Sequence, residues 1–249
     1  MRRFDDRRVL LTGAASGIGR ATAVRLVAEG ATVVGADRDA EGLEVTAGKV
    51  EAPERFHPLV MDVADESSVV AGVAEAVRLL DGLDTLLTVA GVHAITPAHE
   101  LDATEVRRLL DVNLVGTMLC CREALPHLPD GRGVIVTTAS SSATHGNPYM
   151  GAYAASKGGV LAFSLTLAAE LAPRRIRVVP ISPGGVTTPL TAGVSEPFAQ
   201  LDTRYYARIM PFDGLAEPED VAGAIAFAAS ADGAYLNGAE LRIDGGAHT

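Results

Sequence analysis

Cysteine is nearly absent from this chain: two residues in 249, adjacent at Cys120 and Cys121. Neighbouring cysteines seldom close a disulfide, and two ligands cannot build a structural zinc site. The pair is expected to fill a buried helix face as reduced thiols, which fits a cytoplasmic chain. Long apolar runs are missing too. No stretch of about 18 apolar residues is available for a membrane span. The charged start, Met1-Arg2-Arg3-Phe4-Asp5-Asp6-Arg7-Arg8, leads into only a short apolar run, without the h-region of a secretory signal. No basic run is longer than a pair, and the formal net charge is -10, which argues against nucleic acid as a partner. No His/Asp/Glu cluster has metal-ligand spacing, so no required metal is expected.

What the chain does have is apolar material: 48% of residues are hydrophobic and 21% charged, enough for one large core. Apolar runs suited to strands alternate with helical patterns. Strands are expected at 8–12, 31–37, 56–61, 83–89, 133–139 and 175–182. Helices are expected at 17–29 (closed by Gly30), 39–51, 65–80, 102–128 and 152–172. No low-complexity linker or internal repeat interrupts them. Such a rhythm specifies one doubly wound α/β domain over 1–249, with a parallel sheet covered on both faces. Two stretches depart from it. The helix over 152–171 is apolar nearly all round, so its outer surface is expected to meet another subunit. The segment 189–215 holds Phe198, Tyr205, Tyr206 and Phe212 and a helix-like run at 196–209, and reads as a lid or substrate loop inserted in the domain.

Two groups of residues suggest chemistry. Thr12-Gly13-Ala14-Ala15-Ser16-Gly17-Ile18-Gly19 follows the first strand and opens a helix. Its glycines let the backbone turn tightly against a pyrophosphate held at the helix N-terminus. Asp37 ends the second strand, where a carboxylate accepts hydrogen bonds from ribose hydroxyls and repels a 2′-phosphate. Arg38 pulls the other way, since a guanidinium there can bind that phosphate. Ser16 adds no further cation, and NAD is favoured over NADP. Tyr153 and Lys157 stand four apart on a helix, on one face. An ammonium near a phenol is expected to lower the tyrosine pKa and fit it for general acid/base work.

Together these motifs resemble the short-chain dehydrogenases/reductases over nearly the whole chain. Thr12 to Gly19 looks like that family's T-G-x-x-x-G-I-G. Tyr153 and Lys157 match its Y-x-x-x-K, with Ser140 at the usual distance before the tyrosine. Asn113 matches the catalytic asparagine, Asp62-Val63 the adenine-contacting pair, and Pro183-Gly184-Gly185-Val186-Thr187-Thr188 the segment beside the nicotinamide. Ile243-Asp244-Gly245-Gly246 is similar to the family's C-terminal end. One motif departs: Thr88-Val89-Ala90-Gly91 stands where the family has N-N-A-G. Ala90 and Gly91 still leave room for a ribose, and the loss of the asparagines is expected to change sheet bonding more than chemistry.

The resemblance implies about seven strands in the order 3-2-1-4-5-6-7 and hydride transfer between a nicotinamide cofactor and an alcohol or ketone carbon. It implies Tyr153 as general acid/base and Ser140 as a hydrogen-bond partner of the substrate oxygen. Lys157 is implied to bind the nicotinamide ribose and tune Tyr153, with Asn113 holding a water that links Lys157 to solvent. Val186 and Thr188 are implied to anchor the carboxamide. Ser142, Tyr149, Met150 and Gly185 are expected to line a mostly apolar pocket for an uncharged alcohol or ketone. His93 and His145 are further candidates to face substrate. The Ser140/His145 pair lacks the G-x-S-x-G elbow of a hydrolase. Family members are commonly tetramers, and a dimer is equally compatible with the sequence. The alternatives are an NADP-linked carbonyl or 3-oxoacyl thioester reductase and a non-catalytic NAD-binding sensor or scaffold. The complete Asn113/Ser140/Tyr153/Lys157 set favours the enzyme.

Overall fold

In a computed structural model the chain forms one seven-stranded sheet, and the structure describes residues 2–192, 202, 204, 210, 211 and 214–247. The strands are β1 (Arg8–Thr12), β2 (Thr32–Asp37), β3 (Phe56–Val60), β4 (Thr85–Thr88), β5 (Val134–Thr138), β6 (Arg177–Pro183) and β7 (Leu241–Ile243). They pair in parallel in the order β3-β2-β1-β4-β5-β6-β7, as the family resemblance implies. Every residue of β4 and β5 is buried, which is why these strands read as unbroken apolar runs.

Side chains of each strand alternate between two cores. Val9 and Leu11 of β1 and Val134 and Val136 of β5 point to one face, under α1 (Gly17–Ala28), α2 (Ala40–Ala47) and a late helix, Pro218–Ala229. Leu10 and Ile135 point to the other, under α3 (Glu66–Leu80), α5 (Gly116–Ala124) and α6 (Gly151–Glu170). Leu10, Leu86 and Ile135 are fully buried, each stabilising the fold by roughly 1.5–3 kcal/mol. Cys120 and Cys121 belong to this second core. Burial raises both thiols, Cys120 to about 12, so neither is a ready nucleophile.

Helix starts follow the sequence. Asp65 accepts from the Ser67 and Ser68 amides at the head of α3, and Asp102 from the Glu105 amide at the head of α4 (Ala103–Leu110). Two helices differ from expectation. α2 ends at Ala47, where Gly48 caps it, and does not run on to 51. The helix expected over 102–128 is α4, a π-helical turn at Asp111–Val115, α5, and a 3-10 turn at Leu125–His127 around Pro126. Pro126 lacks the N–H that would continue the α-helical ladder.

α6 buries Val160, Leu161, Ser164, Leu167 and Ala168 and leaves Ala155, Ala162, Leu165 and Ala169 exposed, an apolar outer surface as its sequence suggests. Val115 and Met118 are also exposed. Of 189–215, the structure describes a single helical turn, α7 (Pro189–Ala192), a few scattered residues and the re-entry at 214. Phe198, Tyr205, Tyr206, Phe212 and all of 196–209 except Asp202 and Arg204 lie outside the described residues. The helix at Pro218–Ala229 is α8. Among the described residues no helix is long and apolar enough to cross a membrane, and no three His, Cys, Asp or Glu residues are grouped to hold a metal ion.

Strand order reverses between β1 and β4. β1 leads to β2 on one side, while β4 leads away on the other. The crevice beyond the carboxyl ends of these two strands is where an open α/β sheet receives ligands. Both groups of sequence motifs converge there.

Candidate active site

The glycine turn is shaped by close approach of backbone to backbone. Gly13 has φ +76°, and a Cβ there would come within 2.7 Å of the Ala90 amide nitrogen. A Cβ on Gly19 would overlap the Gly13 carbonyl. Only glycine suits either position. Asp37, at the end of β2, accepts from the Ala15 amide and the Asp39 amide, each at 3.1 Å, so its carboxylate is fixed beside the turn. A cleft of about 210 Å³ runs over Gly13, Ser16, Gly17, Ile18 and Gly19, past Asp37 and Arg38, then along Asp62, Val63, Ala90, Gly91 and Thr188. Its glycine-formed floor, the free amides of the α1 N-terminus and the fixed carboxylate fit a dinucleotide.

The substituted motif leaves a local trace. The Thr12 hydroxyl accepts from the amides of Val89 and Ala90, both at 3.2 Å, joining β1 to the end of β4. Thr88 Oγ1 is buried without a protein partner, and Val89 packs against the core.

A second cavity of about 410 Å³ adjoins the first across Ile18, Gly91, Val92 and Thr188. Ser140, Tyr153 and Lys157 line it, together with Pro183, Gly184, Gly185 and Val186 from the end of β6. The first turns of α6 carry Tyr153 and Lys157, while Ser140 caps a 3-10 turn at Ser141–Ala143, its hydroxyl accepting from the Ser142 amide at 3.2 Å. The Ser140 side chain stands by the Tyr153 phenol and favours its ionised form.

Here the electrostatic expectation is corrected. Burial raises the Tyr153 pKa, with the Ser140 side chain opposing that rise. The Lys157 ammonium donates to the Thr138 carbonyl at 2.7 Å, and burial lowers its pKa to about 8. Tyr153 is held as a phenol by its surroundings.

Asn113 lies behind the cavity, fully buried in the π-helical turn. Its Oδ1 accepts from the Val92 amide at 2.8 Å, and its Nδ2 donates to the Val92 carbonyl and to Ser156 Oγ, each at 2.9 Å. The amide ties the loop following β4 to α6. Thr117 Oγ1 donates to the Asn113 carbonyl at 2.8 Å.

Of the residues expected in the substrate pocket, Ser142, Met150, Gly185 and His93 line the cavity. Tyr149 and His145 do not. Tyr149 has φ +63°, which turns its side chain so that the hydroxyl donates to the Asp202 carbonyl at 3.3 Å. His145 places Nε2 3.4 Å from the Arg242 guanidinium and Nδ1 2.9 Å from Thr144 Oγ1. Leu190, Met210 and Leu215 of the segment read as a substrate loop also line the wall, while sequence reasoning missed Ile95 and Asn147, which come from loops with no periodic pattern. The His93 imidazole stands edge-on to the Tyr153 ring, centroids 4.3 Å apart and planes at 76°. Burial and the nearby Lys157 charge lower its pKa to about 4, so it is neutral at ordinary pH.

A family profile described as enoyl-(acyl carrier protein) reductase matches residues 13–248. The chain is 39% identical to the cis-4-hydroxycyclohexanecarboxylate dehydrogenase of Sinomonas cyclohexanicum, covering 98% of this chain and 97% of that one. It is 36% identical to the meso-2,3-butanediol dehydrogenase of Serratia marcescens, covering 98% and 96%. Among solved structures, a short chain dehydrogenase from Burkholderia cenocepacia in complex with NADP superposes with a TM-score of 0.89 at 33% identity, over 99% of this chain and 100% of that one. By sequence and by fold, the chain belongs to the short-chain dehydrogenases/reductases and is an NAD(P)-dependent oxidoreductase of that family.

Proposed function

We propose that this protein moves a hydride between NAD and the carbinol carbon of an uncharged secondary alcohol, or in reverse onto the matching ketone. The carrying observation is that the Tyr153 phenol and Ser140 share the wall of a largely apolar cavity that opens onto the dinucleotide cleft. A bound nicotinamide accepts or delivers the hydride. In the oxidative direction Tyr153 takes the hydroxyl proton as the C–H bond breaks, and in the reductive direction it returns one to the forming alkoxide. Ser140 donates to the same oxygen and steadies its charge. Lys157, one turn along α6, would bind the nicotinamide ribose. Asn113 acts by holding α6 against the loop that follows β4. Val186 and Thr188 flank the position for the carboxamide.

Asp37 supports NAD, because its fixed carboxylate repels a 2′-phosphate at the end of β2. Arg38 lines the same cleft and favours the second reading, an NADP-linked carbonyl or oxoacyl reductase. Titration with NADH and then NADPH, followed by nucleotide fluorescence, separates them. Tighter NADH binding supports the first reading, and tighter NADPH binding the second. The exposed apolar surface of α6 supports a homotetramer, with a dimer also compatible. Two buried, reduced cysteines suit a cytoplasmic location.

A further inference from the structure

The wall of the larger cavity is mostly apolar, with Ile95, Met150, Leu190, Met210 and Leu215 around the catalytic pair. Several of the polar side chains facing it are already engaged. Ser140 accepts from the Ser142 amide, Lys157 bonds Thr138, and Ser142 accepts from Asn147 Nδ2 at 2.5 Å. His93 differs. Its Nδ1 is buried with no protein hydrogen-bond partner, while the ring rests edge-on against Tyr153, centroids 4.3 Å apart. Thr138 Oγ1 and Asn147 Oδ1 are likewise unpaired on this cavity, but the ring in contact with Tyr153 is that of His93.

Nδ1 is closed off, so Nε2 is the ring nitrogen open to a ligand atom. A neutral imidazole offers one donor and one acceptor nitrogen, and so can meet either a hydroxyl or a carbonyl oxygen. Ring contact sets the imidazole beside the Tyr153 ring on one wall. The oxygen that meets His93 therefore belongs to the substrate close to the reacting carbon. We infer that His93 is a specificity residue that selects substrates bearing a second oxygen next to the reacting carbinol, as in 1,2-diols and hydroxyketones. The inference rests on the dehydrogenase reading above. It narrows the substrate class from secondary alcohols in general to those with an adjacent oxygen.

The test uses matched pairs: butane-2,3-diol against butan-2-ol, and cyclohexane-1,2-diol against cyclohexanol. For each, kcat/KM is measured for the wild type, His93→Phe and His93→Gln. Thermal unfolding and NADH titration establish that each variant folds. The wild type is expected to favour the diol by at least about tenfold. His93→Phe should reduce that ratio about tenfold or more, because the ring is kept and the hydrogen bond lost. His93→Gln, which restores a donor and an acceptor, should recover part of it. Wild-type turnover without a diol preference, or a ratio unchanged in His93→Phe, would overturn the assignment of His93 and leave the dehydrogenase reading standing. No turnover of any of the four alcohols by wild-type protein that binds NADH would overturn both.

Discussion

The Lys157 ammonium lies 2.7 Å from the carbonyl oxygen of Thr138, and it is this contact, at the end of β5, that positions the lysine. The phenol of Tyr153 instead answers to Ser140, which opposes the rise that burial causes in its pKa. Four residues of helical spacing bring the two side chains to one face, yet they serve different partners. The lysine is a buried cation on a single carbonyl, an arrangement kept for binding and costly for folding.

That cost can be measured. Lys157 drops from 10.5 to about 8 on folding, so the unfolded chain holds the proton more tightly. The stability associated with this group is full above pH 10.5 and lost as pH falls through 8, a difference on the order of 3 kcal/mol. Lys157→Met should therefore unfold at higher urea concentration at pH 7. The expected net gain is about 1–2 kcal/mol once the lost bond to Thr138 is counted. Turnover should be lost in the same variant. A destabilised Lys157→Met protein would show that the ammonium supports the fold.

Ser140 bears on the pKa of Tyr153. It opposes the rise caused by burial, so Ser140→Ala should raise the tyrosine pKa further. Alcohol oxidation needs the basic form, and its kcat/KM should climb with pH along a limb displaced to higher pH in the variant. The plateau should also fall by roughly 10²–10³-fold as a donor to the substrate oxygen is lost. An unmoved limb in the pH–rate profile would detach Ser140 from Tyr153.

His93 should impose an acid limit on stability. Folding lowers its pKa from 6.5 to about 4, so the unfolded chain binds a proton that the folded chain refuses. Its contribution is complete above pH 6.5 and is lost as pH falls toward 4, by up to about 3 kcal/mol. Chemical denaturation of wild type and His93→Phe across this window should show a shallower acid decline in the variant. Parallel curves would mean that the imidazole is not buried neutral.

Much of this was legible in the sequence because it depends on backbone. Gly13 and Gly19 announce a turn that no side chain fits, Asp37 marks the end of β2, and β4 and β5 read as buried because both faces are covered. What depends on side-chain direction was not. Spacing places Lys157 beside Tyr153 but says nothing of where a four-carbon stem ends, and so the expected fall in the tyrosine pKa gave way to a rise. The π-helical turn at Asn113 follows from hydrogen bonds to Val92 and Ser156, 21 and 43 residues away. Tyr149 lies outside the pocket wall and His93 lines it, a difference that the sequence of neither loop announces.

The central claim is proton transfer by Tyr153 coupled to hydride transfer, and Tyr153→Phe tests it most directly. NAD reduction by a panel of secondary alcohols would be followed for wild type and variant, with NADH binding measured on both. The account predicts wild-type turnover, NADH affinity retained in the variant, and turnover reduced by about 10²–10⁴-fold. Comparable turnover in Tyr153→Phe would contradict it.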